Sequence, residues 1–188
     1  VRQPSHCIYV VETQSVPSAQ TMRDALRDAV ANLDWAVALD ALRVAYRRQV
    51  CAIAAIDITA GGESPSMLPG IASALSDLAD AVVNAALACA RANVPNGEQP
   101  SIAVIAMGKC GARELNYVSD VDVMFVASQA DEASTAVAKR VMQACSSVTA
   151  QGTIWEMDAA LRPEGKAGPL VRTVDSYVDY YRRWAKDW

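Results

Sequence analysis

The chain has 188 residues, 52% of them apolar and only 6% aromatic, with a formal net charge of -4 and a pI near 5.0. That length suffices for one ordinary domain with a substantial core, and with so few aromatics the core must be built from Ala, Val, Ile and Leu. The acidic balance excludes a non-specific binder of nucleic acid or membrane surfaces, which needs clustered Lys and Arg in excess, and leaves a protein or a small molecule as the expected partner.

Cysteines at 7, 51, 89, 110 and 145 form no CxxC pair and no metal-ligand spacing, and read as separate reduced thiols of a cytosolic protein. No stretch reaches the ~18 uninterrupted apolar residues of a membrane span, and the N-terminus lacks the order of a signal peptide. The expectation is a soluble, cytoplasmic chain. It starts at Val1 and stops at Trp188 inside an amphipathic run, YVDYYRRWAKDW, which reads as a piece cut from something longer.

Residues 1–17 form an irregular arm with a brief apolar run, Cys7 to Val11. Behind Ser18, a candidate cap, Met22, Leu26, Ala29, Val30 and Leu33 recur at helical spacing. Asp34 then caps a longer helix with a stripe of Leu39, Leu42, Ala45, Tyr46, Val50 and Ile53. Arg43, Arg47 and Arg48 on that helix read as a solvated face. TAGGESPSMLPG, residues 59–70, has the Gly and Pro punctuation of a loop. Ser73 to Arg91 is helical again, apolar at Leu75, Leu78, Val82, Ala85, Ala86 and Cys89. Residues 18–100 are therefore expected to be a helical lead-in packed on the core.

After Pro100 the period changes. SIAVIAM (101–107) is short, β-branched and bounded by Gly, as a buried strand is, and VDVMFVA (121–127) and TIWEMDA (153–159) come after it. Between the last two, Val137, Ala138, Val141, Met142 and Cys145 sit at helical spacing in a segment that ends on Gly152 as a stop. Residues 101–188 are expected to be a mixed α/β core, closed by a helix carrying Tyr177, Tyr180, Tyr181, Trp184 and Trp188.

The run SDVDV places Asp120 and Asp122 at the mouth of the second strand. Alternation puts both on one face, ~7 Å apart, with Val121 and Val123 on the other. Two such carboxylates raise each other's pKa unless a cation lies between them, and Mg²⁺ suits the arrangement, because it accepts one or two carboxylates and fills its shell with water and phosphate oxygens. Upstream, Gly108, Lys109 and Gly111 come after a strand and precede a short turn or helix where backbone N–H groups can hold phosphate, and Ser119 is aimed at the same place. On the third strand Asp158, sharing a face with Ile154 and Glu156, would complete a two-metal site for phosphoryl or nucleotidyl transfer. Arg162 and Lys166 stand next in a Pro- and Gly-rich loop, placed to neutralise phosphate. His6, the single histidine, offers no base for a hydrolytic triad.

MGKCGARELNYVSDVDVMFV followed by IWEMDAALRPEGKAGPLV resembles glutamine synthetase adenylyltransferase, whose pattern is GKxGxxELxxxSDxDxxF and then VDxxLRPxGxxGPLV. Cys110, Ala112 and Val118 stand where that family more often has Leu, Gly and Ser, and Met157 where Val is usual; none of these removes a candidate ligand. The resemblance runs from about Leu42 to Trp188. It implies a DNA-polymerase-β-like nucleotidyltransferase core with a mixed sheet, and Mg²⁺ or Mn²⁺ held by Asp120, Asp122 and Asp158. Gly108 and Ser119 match the loop that holds nucleotide phosphates, and ATP, ADP and phosphate are the implied substrates. Glutamine synthetase and a PII-type signal protein are the implied partners. The family joins an adenylyl-removing centre to an adenylyl-adding one, and GPLV after RPEGKA looks more like the removing centre. Addition of AMP from ATP, and a non-catalytic module binding nucleotide or signal protein, stay open beside it.

Overall fold

A computed structural model describes residues 15–59, 67–96 and 100–185. The apolar run of the arm, with His6 and Cys7, the loop residues 60–66 and the terminal Trp188 lie outside them. Ser18 caps the first helix, α1 (Ala19–Val30), its hydroxyl accepting from the Thr21 amide at 3.1 Å. Met22, Leu26 and Val30 are its buried stripe; Leu33, expected on the same stripe, lies beyond the helix end and is exposed. α2 (Trp35–Thr59) comes next, with the Asp34 carbonyl accepting from the Ala38 amide.

α3 (Leu68–Ala92) begins inside the segment expected to be a loop, with proline in its first turn. Pro is tolerated there because its missing N–H would have no helical partner. α3 is long and apolar enough to cross a membrane by length and mean hydropathy, 1.4 over 18 residues. Its apolar side chains are instead the centre of the core: Ile71, Leu75, Leu78, Val82 and six alanines are buried against α1, α2 and the last long helix of the sheet layer. Alanine on a helix surface lets a neighbour approach closely, which is why a core with few aromatics still fills.

The sheet comprises β1 (Ile102–Ala106), β2 (Val121–Ala127), β3 (Met157–Asp158) and β4 (Val171–Arg172). β1 runs antiparallel to β2, from Ile102 opposite Ala127 to Ala106 opposite Val123. β3 and β4 pair parallel with successive stretches of β2, Val121–Asp122 and Phe125–Val126. A one-turn helix, α4 (Gly108–Gly111), joins β1 toward β2, and α5 (Glu132–Ser146) joins β2 toward β3. The α/β class with a small mixed sheet is the one the sequence led us to expect. On β2 the odd residues Val121, Val123, Phe125 and Ala127 are buried and the even ones, starting with Asp122, are half-buried. The period of two gives the strand two faces with different fates.

Further expectations need correcting. The third strand is only two residues, Met157–Asp158, because upstream the Ile154 amide is engaged by the Cys145 carbonyl at the end of α5 and not by β2. β4, within GPLV and Arg172, had no period to announce it. α5 ends at Ser146, and Gly152, at φ +84°, closes a turn with Thr149 instead of stopping the helix. Arg43 and Arg47 are not a solvated face. Arg43 is fully buried and donates to the carbonyls of Leu39 (2.8 Å), Gly152 (2.8 Å) and Ser147; Arg47 donates to the carbonyl and side-chain oxygens of Gln151.

α6 (Val174–Trp184) is capped by Thr173, whose hydroxyl accepts from Ser176 at 3.2 Å. Two of its aromatics reach the sheet: Tyr177 donates to the Phe125 carbonyl and Tyr181 lies against the Met124 sulfur. Trp184 is exposed. Cys51, Cys89, Cys110 and Cys145 are free thiols.

Candidate functional site

β1 hands the chain to α4 through Met107, whose amide donates to the Asp122 carbonyl at 2.9 Å. Gly108 then turns with φ +52°, and a Cβ there would lie 2.5 Å from the Asp122 carboxylate oxygen Oδ2. Both demands select glycine. At the other end of α4, a Cβ on Gly111 would lie 2.6 Å from the Ala106 carbonyl oxygen. The two glycines therefore fold α4 back on the sheet with its backbone against Asp122.

Parallel pairing sets Asp158 of β3 directly beside Asp122 of β2, at the ~4.8 Å spacing of neighbouring strands. Asp120 is exposed, one residue before β2 begins. Burial pushes the Asp122 carboxyl above its ordinary range, the charges of Asp120 and Asp158 push it further, and Lys109 opposes them. The structure thus sets Asp122 and Asp158 side by side at one end of the sheet, with Gly108 against Asp122 and Asp120 two residues before it along the chain. Asp158 is further oriented by the Ala160 amide, which donates to its Oδ1 at 2.8 Å.

Other expected site residues lie differently. Ser119 is half-buried just before Asp120, and Gly111 serves α4 packing. Arg162 is engaged in its own loop: its guanidinium donates to the carbonyls of Ala159 (2.6 Å), Gly168 (3.0 Å), Pro169 (3.1 Å) and Lys166 (3.3 Å). In this structure it acts as a staple of its own loop, and these bonds neither support nor exclude its expected role on phosphate. Lys166 sits exposed in a 3₁₀ turn, Gly165–Ala167.

Among the described residues no three His, Cys, Asp or Glu side chains are gathered tightly enough to enclose a metal ion. The aspartates form an open set. An open set of carboxylates fits Mg²⁺ or Mn²⁺, which complete their shells with water and phosphate oxygens, and a cation there would offset the raising of Asp122 by burial and by its carboxylate neighbours. Cys110, the nearest thiol, is buried and its pKa is raised, first by burial and then by Asp80 and Asp122, so it adds no soft ligand.

Sequence reasoning passed over the supports of the third carboxylate. The Met157 amide donates to the Ser146 hydroxyl at 2.9 Å, and Arg43 holds the next residue, Ser147, by its carbonyl and its hydroxyl. A serine at the end of a helix carries no motif, and only the fold brings α2 to it.

The sequence model for glutamate-ammonia ligase adenylyltransferase matches residues 1–188, so the likeness extends through the N-terminal segment as well as the stretch after Leu42. Curated relatives named bifunctional glutamine synthetase adenylyltransferase/adenylyl-removing enzyme include one from Cutibacterium acnes, 48% identical over 168 residues, covering 85% of this chain and 17% of the relative. Another, from Mycolicibacterium smegmatis, is 46% identical over 187 residues, covering 92% and 18%. One from Nocardia farcinica is 54% identical over 158 residues, covering 81% and 15%. The chain spans under a fifth of the length of these relatives.

Proposed function

We propose, from the premise that this chain belongs to the glutamate-ammonia ligase adenylyltransferase family, that it forms one nucleotidyl-transfer centre of a larger cytoplasmic enzyme. Its reaction is the removal of AMP from an adenylylated tyrosine of glutamine synthetase by inorganic phosphate. The observation that carries a nucleotidyl-transfer centre is the register of β2 and β3, which sets Asp158 beside Asp122 while Gly108 brings backbone against the same carboxylate; the removing direction rests on GPLV after RPEGKA.

An oxygen of phosphate forms a bond to the adenylyl phosphorus as the bond from phosphorus to the tyrosyl oxygen breaks. The tyrosyl oxygen takes up a proton, and the products are ADP and unmodified tyrosine. Mg²⁺ or Mn²⁺ held by Asp120, Asp122 and Asp158 would supply neutralisation of charge on the phosphoryl and departing oxygens. Lys109 adds a positive charge at the edge of the site, as its pull on Asp122 indicates. The bare backbone at Gly108 leaves room for a phosphate to lie close to the chain, where a side chain would exclude it.

The relatives' names carry both directions, so the same residues support a second reading, transfer of AMP from ATP to the tyrosine with release of pyrophosphate. A PII-type signal protein is the partner we propose for setting the balance between them. A retired, purely regulatory module is disfavoured, because crowding three carboxylates has a cost that only a cation-dependent function offsets.

The test uses the full-length enzyme with wild-type sequence or Asp120→Asn in this domain. Adenylylated glutamine synthetase is given phosphate and Mg²⁺, and unmodified glutamine synthetase is given ATP and Mg²⁺. Loss of ADP release in the first reaction alone supports the removing centre. Loss of labelling in the second alone assigns the adding centre, and retention of both rejects a catalytic role for the aspartates.

A further inference from the structure

Asp158 stands on a strand only two residues long, Met157–Asp158, so the ladder alone does little to fix it. On the β2 side the Val121 amide donates to the Glu156 carbonyl at 2.9 Å. On the other side the support comes from a helix end. The Ile154 amide donates to the Cys145 carbonyl at 3.3 Å, the Thr153 hydroxyl donates to the Ser146 carbonyl at 3.3 Å, and the Met157 amide donates to the Ser146 hydroxyl at 2.9 Å. The last carbonyls of a helix have no partner within it, and here the segment leading to Asp158 supplies partners for two of them. The Ser146 bond is the one nearest the carboxylate, ending on the residue just before it.

What holds the helix end in place is Arg43. From α2 it donates to the carbonyl and hydroxyl of Ser147 and to the carbonyl of Gly152, bracketing the turn after α5. It also sets a positive charge at the negative end of that helix. A chain of direct contacts therefore runs from the helical layer to the candidate site: Arg43 to Ser147, Ser146 to Met157, Asp158 beside Asp122.

We propose that Ser146 is a positioning residue, its hydroxyl holding β3 so that Asp158 stands beside Asp122, with Arg43 fixing the helix end from which it acts. This rests on the assignment of Asp158 to the nucleotidyl-transfer centre. Ser146 is half-buried, and its replacement by Ala removes one oxygen and leaves the Met157 N–H without that acceptor. Threonine restores an acceptor in the same place.

The experiment compares wild type, Ser146→Ala, Ser146→Thr and Asp158→Asn in the full-length enzyme by two readouts. One is hydrogen exchange at the Met157 amide without added metal. The other is the Mg²⁺ dependence of turnover in whichever direction this centre runs. The expected result for Ser146→Ala is faster Met157 exchange and a Mg²⁺ half-saturation raised on the order of 10-fold, with turnover at saturating Mg²⁺ close to wild type and both values recovered in Ser146→Thr. Unchanged exchange in Ser146→Ala overturns the proposal. So does faster exchange with an unmoved Mg²⁺ half-saturation, which would make the hydroxyl a stability element only. If Asp158→Asn keeps wild-type turnover and Mg²⁺ dependence, the assignment of Asp158 is what fails, and the role of Ser146 falls with it.

Discussion

Between α2 and the turn after α5, the charged side chain taken fully inside, Arg43, meets four oxygen acceptors, on Leu39, Gly152 and twice on Ser147. At the start of β2, Asp122 is drawn partly from water with two more carboxylates beside it and one lysine opposing them. Burial lowers the Arg43 pKa as it raises that of Asp122, so desolvation works against both charges. Only the arginine is compensated by a fan of partners. A buried charge satisfied on every side serves the fold, whereas a crowded, partly desolvated carboxylate marks a candidate functional site. Arg43 and the carboxylate end of the sheet thus differ in how their charges are finished, though a single apolar core runs under both.

The sharpest way to break this contrast is Asp122→Asn. Turnover is expected to fall on the order of 10³-fold, the scale of losing one electrostatic group at a reacting phosphorus, while the melting temperature at neutral pH rises because repulsion at the site is relieved. A lower melting temperature would place Asp122 with Arg43, among the groups that support the fold.

Arg43→Met addresses the other region. It removes the charge and leaves the Ser147 carbonyl short of a donor, while the Gly152 carbonyl keeps only the Thr149 amide, at an expected loss of about 3 kcal/mol. Urea unfolding followed by tryptophan fluorescence measures it, since Trp155 lies edge-on to Tyr46 of α2 close to the disrupted contact. A loss below ~1 kcal/mol would show that water replaces the guanidinium.

The smallest effect is a pair of opposite pH dependences. Asp131 caps α5, accepting from the Ser134 amide at 2.8 Å, and this holds its carboxyl below the ordinary 3.8. In the window below 3.8 the unfolded chain binds the extra proton, so Asp131's stabilisation, complete above 3.8, is lost as pH falls through its lowered pKa. Asp122 has the reverse sign. Its raised pKa makes the folded chain the proton binder above 3.8, so stability falls as pH rises through that window. Melting curves should therefore show the deficit of Asp131→Ala vanishing in acid, and the gain of Asp122→Asn vanishing there too. Parallel shifts at every pH would contradict the two signs.

Much of this was legible in the sequence. The stripes of α1 and α3, the Ser18 cap and the alternation of Val121, Val123 and Phe125 are local patterns, and a period of 3.6 or 2 names the buried face without knowledge of what covers it. The pair Asp120 and Asp122 and the loop at Gly108 were legible for the same reason, being neighbours along the chain. Arg162 shows the limit. Its place after Asp158 suggested an anion, and the carbonyls that take its donors come from a loop whose path no periodicity predicts.

By itself the sequence determined the helices, the central strand and the identity of the carboxylates, because hydrophobic period and spacing act over a few residues. Only the tertiary structure decided that Asp158 lies level with Asp122, that β3 is two residues long, and that Arg43 is a buried clamp. Each of those depends on a partner far along the chain, 104 residues from Arg43 to Ser147 and 109 from Arg43 to Gly152. A side chain's local pattern reports whether its face is apolar; it does not report which oxygen will be waiting there.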